Sequence, residues 1–177
     1  MIHGILLRWA VTGLFALAAV ECALPILTRR LPWPMVVSHG LHVLMAVAMA
    51  AMAWPWSMRS PATALAVLFL LAAVWFATMT LVAARTPAQR GSTGYDALMM
   101  LATAWMYAAM DGLPAAAVWI TAMNWLGALI FGAATLFWTL RCLTDAGTTR
   151  LKSLGNLAQP AMAAGMAILF LAAVSRI

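Results

Sequence analysis

The stretch His39-Gly40-Leu41-His42-Val43-Leu44-Met45-Ala46-Val47-Ala48-Met49-Ala50-Ala51-Met52 decides the reading of the chain. It is an apolar run with two imidazoles at one end and three thioethers along its length. On a helix, Met35, His39, His42, Met45, Met49 and Met52 recur at spacings of four, three, three, four and three. Those spacings make one continuous face, because residues three and four apart stack along a helix. Imidazole and thioether are ligands that soft metal ions prefer, copper(I) above all.

The stretch recurs 54 residues later. Ser38-His39-Gly40-Leu41-His42-Val43-Leu44-Met45 lies over Ser92-Thr93-Gly94-Tyr95-Asp96-Ala97-Leu98-Met99, and Met52 over Met106. Backwards, Leu14-Phe15 and Leu17-Ala18-Ala19-Val20 lie over Leu68-Phe69 and Leu71-Ala72-Ala73-Val74. From Leu14 to Met52, 15 of 39 positions are identical without a gap, where chance gives roughly 5 in so Ala- and Leu-rich a chain. The repeating unit is a helical hairpin, a device common in membrane transporters. A weaker third copy, Gln159-Pro160-Ala161-Met162 with Met166, keeps the spacing of His42, Met45 and Met49. The alignment then stacks His42, Asp96 and Gln159 in one layer and Met45, Met99 and Met162 in the next. Met49, Thr103 and Met166 follow, then Met52, Met106 and Leu169. The predicted repeat units span about 5–56, 61–112 and 114–176.

Working outward, 177 residues hold one domain, 66% hydrophobic and 8% charged. A soluble domain of this size cannot hide so much apolar surface, and runs of about 20 apolar residues read as membrane-spanning helices. The expected fold is all-α: an integral membrane bundle of six transmembrane helices, built from a duplicated, or triplicated, hairpin. The helices are placed at about 5–27, closed by Pro25 and Arg29-Arg30, then 35–54, 61–84, 95–110, 114–140 and 158–174. Arg85 to Gly94 reads as a polar loop, Pro114 opens the fifth helix, and Arg141 to Asn156 is the longest polar segment. The first helix has signal-peptide features, but its apolar core is repeated inside the chain.

The net charge of +6 comes from residues scattered among loops, without the basic stripe that nucleic acid requires. Loops after the first, third and fifth helices carry Arg29, Arg30, Arg85, Arg90, Arg141, Arg150 and Lys152; the other side carries Arg8, Arg59 and Arg176. By the positive-inside rule the first set is cytoplasmic, which puts both termini outside the cytoplasm of a bacterial inner membrane. Cys22 and Cys142 then lie near the reducing side and form no disulfide framework.

This topology puts Glu21, His39, His42 and Asp96 in the cytoplasmic half, within roughly 9–18 Å of the basic loops at about 1.5 Å per residue. Ionisable residues inside a membrane face the bundle interior and pair, so these four are expected to meet. Competing readings are a packing network, a metal site, a proton path, and interfacial solvation without a role. Two His at i and i+3 can address one ion, with Glu21 and Asp96 as ligands or as acceptors behind the ligands. Met99, Met106 and Met110, like Met45, Met49 and Met52, continue single faces from this layer, although methionine is also a common gap-filler. The Met-x-x-x-Met pairs at Met45/Met49, Met106/Met110 and Met162/Met166 resemble, by analogy, the pair lining the pore of eukaryotic high-affinity copper transporters. Haem is disfavoured: apart from His3 at the very start, no other spanning helix carries a His. With no Gly-rich phosphate loop, no Cys-x-x-Cys and no Ser beside a clear base, the sequence marks no enzyme.

The run His42-x-x-Met45 followed by Ala48-Met49-Ala50-Ala51-Met52-Ala53-Trp54-Pro55-Trp56, with Ala97-Leu98-Met99-Met100 to Trp105-Met106, resembles a family of small actinobacterial membrane proteins known only as a domain of unknown function. The resemblance covers most of helices two to four. That family often has His at the position of Asp96. It implies a source and a membrane location, and no mechanism.

Three functions follow as expectations. The first is a copper(I)-handling protein, for transport or for delivery to a membrane cuproenzyme. Met45, Met49, Met52, Met99, Met106 and Met110 would be a weak exchangeable track, and His39, His42, Asp96 and Glu21 would hold the ion at one end. The second is a non-catalytic accessory subunit of a larger respiratory or oxygenase complex. A lipid-directed membrane enzyme is a third, lacking any nucleophile motif.

Overall fold

The computed structural model describes residues 5–55, 61–110, 118–145 and 157–175. Among these residues the chain forms six helices: α1 Ile5–Thr28, α2 Trp33–Met52, α3 Ala62–Val82, α4 Pro87–Met110, α5 Val118–Asp145 and α6 Ala158–Val174. All regular structure in them is helical, as the apolar runs demand. Four helices, α1, α2, α3 and α5, are long and apolar enough to cross a membrane. At 1.5 Å per residue a 20-residue helix spans about 30 Å, the hydrocarbon thickness. The chain is accordingly a multi-pass membrane protein. α6 is apolar but has only 17 residues, over the bounds expected from the sequence, and α4 begins with two polar turns. Large apolar side chains such as Leu71, Leu129, Leu136 and Phe137 are exposed along the helices, where lipid, not water, is the compatible solvent.

Two boundaries differ from the expectations, at the start of α4 and the end of α5. α1 ends at Thr28, just before Arg29-Arg30, close to the expected bound; Pro25 lies inside its last turn. Proline removes one N–H near the helix end, and Arg29 N–H still bonds the Pro25 carbonyl at 3.1 Å. The segment from Arg85 to Gly94 is mostly helix, because α4 starts at Pro87. Its start is a capping box: Gln89 N–H donates to Thr86 Oγ1 at 3.2 Å, and Thr86 N–H donates to Gln89 Oε1 at 3.3 Å. Proline at the first helical position loses nothing there. Finally, α5 continues past Leu140 to Asp145. No Pro or Gly lies between Leu140 and Asp145, the Arg141 guanidinium lies 5.6 Å from the centre of the Trp138 ring, and Thr144 Oγ1 donates to the Arg141 carbonyl at 2.8 Å. Pro114, Arg150 and Lys152 lie outside the described residues.

The helices fall into two compact units. One comprises 1–57 and 116–177, and the other 58–115. In the first, α1 packs against both α2 and α6, and α6 packs against α5. Trp54, just past the end of α2, donates from Nε1 to Thr12 Oγ1 at 3.0 Å and meets the Trp9 ring edge-on at 5.2 Å. Gly165 on α6 lies under the Phe15 ring of α1, where an added Cβ would sit 2.7 Å from Cε2 and Cζ. Gly127 on α5 receives Phe170 of α6 in the same way, at 2.6 Å, and Phe170 stacks on Phe131 at 5.8 Å. Glycine lets each helix pair approach closely, the usual device where lipid supplies no hydrophobic drive. In the second unit α3 packs on α4, with Phe69 stacked on Tyr107 at 6.0 Å.

Candidate functional site

The face of α2 that opens the sequence argument divides by depth. His42, Met45 and Met49 are buried, His39 and Met52 are half-buried, and Met35 is exposed. His42 Nδ1 lies 2.8 Å from the Ser38 carbonyl, and His39 Nδ1 2.9 Å from the Met35 carbonyl. A carbonyl only accepts, so Nδ1 carries the proton in each, and in the neutral ring Nε2 carries the lone pair. A backbone carbonyl that sets the tautomer in this way is the usual support behind a metal-binding imidazole.

Glu21 takes a different place from the one expected. Its carboxylate accepts hydrogen bonds from the backbone N–H groups of Leu157 and Ala158. These belong to the first turn of α6, whose amides have no intrahelical acceptor. Glu21 therefore caps α6, a favourable position for a carboxylate at the positive end of a helix. Its second oxygen, Oε2, is buried without a hydrogen-bond partner, and so is Trp75 Nε1. The two residues stand 54 positions apart, the period of the repeat.

Among the described residues no group of three or more His, Cys, Asp or Glu side chains comes together as a metal site. The expected meeting of Glu21, His39, His42 and Asp96 is thus not present as such a group. The physical reason is local: Glu21 serves α6, and each imidazole is tied to the carbonyl four residues before it.

The thioether sulfurs are deeply placed. Met45, Met49, Met99, Thr103, Met162 and Met166, the two middle layers of the repeat alignment, are each no more than 1% exposed. Thr103, which replaces a Met, donates its hydroxyl to the Met99 carbonyl at 2.9 Å and so hides its polarity. Met106 is buried, Asp96 is half-buried and Met110 is exposed at the end of α4. Met162 and Met166 were not among the residues singled out as ligands; the short third copy, with the spacing of Met45 and Met49, was the signal that marked them. Chemically the buried set offers neutral thioethers and one oriented imidazole. Thioether and imidazole are ligand types that soft cations prefer.

Comparison with known proteins places the chain among relatives of its own size. The family described as a domain of unknown function, DUF5134, matches residues 34–173. Uncharacterized protein Rv0970 of Mycobacterium tuberculosis and uncharacterized protein Mb0995 of Mycobacterium bovis are each 47% identical, covering 97% of this chain and 98% of their own. No solved structure matches.

Proposed function

Starting from a chain that belongs to the DUF5134 family, we propose that it is a copper(I)-handling membrane protein, moving the ion or delivering it to a membrane cuproenzyme. One observation carries the reading: His42, Met45 and Met49 are buried along one face of α2, and the Ser38 carbonyl orients the His42 ring. Thioethers bind copper(I) without losing a proton and release it readily, which suits an ion that must leave as well as enter. Asp96, Met99 and Met106 repeat the pattern on α4, with Met110 at its end, and His39 and Met52 extend it on α2.

In this reading all six helices cross a bacterial inner membrane as three related hairpins. Both termini face away from the cytoplasm, and the imidazoles sit at the cytoplasmic end. The hairpin relation draws support from the shared burial of equivalent positions and from one further likeness. Tyr107 and Phe170 stand 63 residues apart, as do Met99 and Met162, and each stacks on a Phe of the preceding helix.

The test is metal content by mass spectrometry of protein purified from copper-fed cells under reducing conditions, beside a His39→Ala/His42→Ala double variant. Near-stoichiometric copper in the wild type, lost in the variant, is the expected result. No copper in either protein would sink this function and leave the accessory-subunit reading, to be pursued by isolating the intact complex.

A further inference from the structure

We propose that the α3–α4 turn of the second unit is a docking site for the headgroup of an anionic phospholipid, held by the guanidinium groups of Arg85 and Arg90. Such a site is independent of the copper reading and requires only that the chain crosses a membrane.

The turn begins where the apolar stretch ends. α3 has 21 residues, about 32 Å at 1.5 Å per residue, which matches the hydrocarbon layer. Its last two residues, Leu81 and Val82, are each 81% exposed, and lipid is the compatible solvent for such side chains. Arg85 follows Val82 by three positions, and residues 83–91 are exposed apart from Ala84. The turn therefore lies at headgroup level, and the two polar turns that open α4 stand there before the helix becomes apolar.

Side-chain hydrogen bonds shape the turn. Arg85 N–H and Thr86 N–H both donate to Gln89 Oε1, at 3.1 and 3.3 Å, and Gln89 N–H donates to Thr86 Oγ1 at 3.2 Å. Arg90 folds back across it, its Nε donating to the Ala84 carbonyl at 3.3 Å. That contact sets the Arg90 guanidinium beside the backbone from which Arg85 departs, so both cations belong to one short surface. With Nε engaged, the two Nη atoms remain as the forked end of the planar group, the edge that pairs with a phosphate. The cap takes up Gln89 N–H, and Pro87 has no N–H to offer, so the guanidinium groups supply the attraction rather than the end of α4.

Charge selects the occupant. The stretch between Glu21 and Asp96 contains no Asp or Glu, and Asp96 is half-buried, so the turn carries two arginines and no carboxylate of its own. At a membrane surface the anion within reach of an arginine pair is a lipid phosphate, and net negative charge on the lipid strengthens the attraction. Leu81 and Val82 beside the arginines offer acyl-chain contact, which a free phosphate ion cannot use.

The experiment is native mass spectrometry of the full chain in detergent, titrated with phosphatidylglycerol and, separately, with phosphatidylcholine of the same acyl chains. It is run on the wild type, Arg85→Gln, Arg90→Gln and Arg141→Gln, the last removing an exposed arginine that lies over the Trp138 ring. The wild type is expected to prefer phosphatidylglycerol, and each turn variant to bind it about fivefold more weakly, with Arg141→Gln within about twofold of the wild type. Wild-type affinity in either turn variant overturns the site. Equal losses in all three variants also overturn it, by reducing the effect to general positive charge. Displacement of the lipid by inorganic phosphate at equal concentration rejects a lipid as the occupant. Should Arg90→Gln fail to fold without its Ala84 contact, a phosphatidylglycerol with a photoactivatable headgroup decides on the wild type. Crosslinks within residues 83–91 support the site, and crosslinks only elsewhere reject it.

Discussion

At the scale of single residues, Gly165 holds α1 and α6 together by having no side chain. A Cβ there meets the ring of Phe15 at 2.7 Å, and that ring is fully buried with nowhere to move. Gly165→Ala is expected to destabilise the first unit by about 1–3 kcal/mol, the usual range for overpacking. Thermal unfolding in detergent measures it. Adding Phe15→Leu to the same chain should recover part of the loss, since the smaller side chain vacates the space. An unchanged melting temperature in Gly165→Ala would mean that the α1–α6 contact is looser than described. Glu21 is the other telling residue. Its type and depth marked it as an intramembrane carboxylate, and contacts alone revealed that its partners are backbone amides of α6.

At the scale of elements, the start of α4 shows how a short side-chain motif overrides composition. Arg85 to Gly94 is polar and basic, and by composition it reads as a loop. Thr86-Pro87-Ala88-Gln89 nevertheless has the Thr-x-x-Gln spacing of a capping box with proline at the first helical position. That signal was legible and outweighs the polarity, because exposed polar residues are good helix formers once the first turn is nucleated. Gln89→Ala removes the acceptor for Thr86 N–H and Arg85 N–H. It is expected to cost roughly 0.5–2 kcal/mol of local helix stability, the range for lost caps. Hydrogen exchange should then quicken from Gln89 to Thr93 and leave the buried turn around Met99 protected. Uniform exchange along α4 before and after the change would show that the cap contributes nothing. The end of α5 teaches the same lesson: charge without a breaker does not stop a helix.

At the scale of the whole molecule, orientation is the property with the widest consequences, since it sets which end of the proposed methionine track faces the cytoplasm. Reporter fusions after Ile177 and within the connection around Arg85 should report opposite sides, with the C-terminus outside, following the seven-to-three bias of basic residues. A cytoplasmic C-terminus would reverse the direction of the track without touching its ligands. Reporters on one side at both places would mean that the helices between them do not cross in pairs, which is incompatible with three spanning hairpins. The structure itself divides the chain into two units.

The all-helical membrane class and the His–Met stripe of α2 were determined by sequence alone. Both depend on local quantities: the length of apolar runs, which only lipid can solvate, and the three-and-four spacing that any helix converts into a face. The 54-residue period was legible too, because it needs only comparison of the chain with itself. Tertiary structure alone decided that α6 lies along α1 in parallel with α2, that Glu21 serves the first turn of α6, and that the imidazoles and carboxylates form no cluster of three among the described residues. Those outcomes turn on which helix packs beside which, between segments far apart in the chain. In an apolar chain many such packings have similar hydrophobic character, so the choice falls to close contacts such as Phe15 on Gly165 and Phe170 on Gly127.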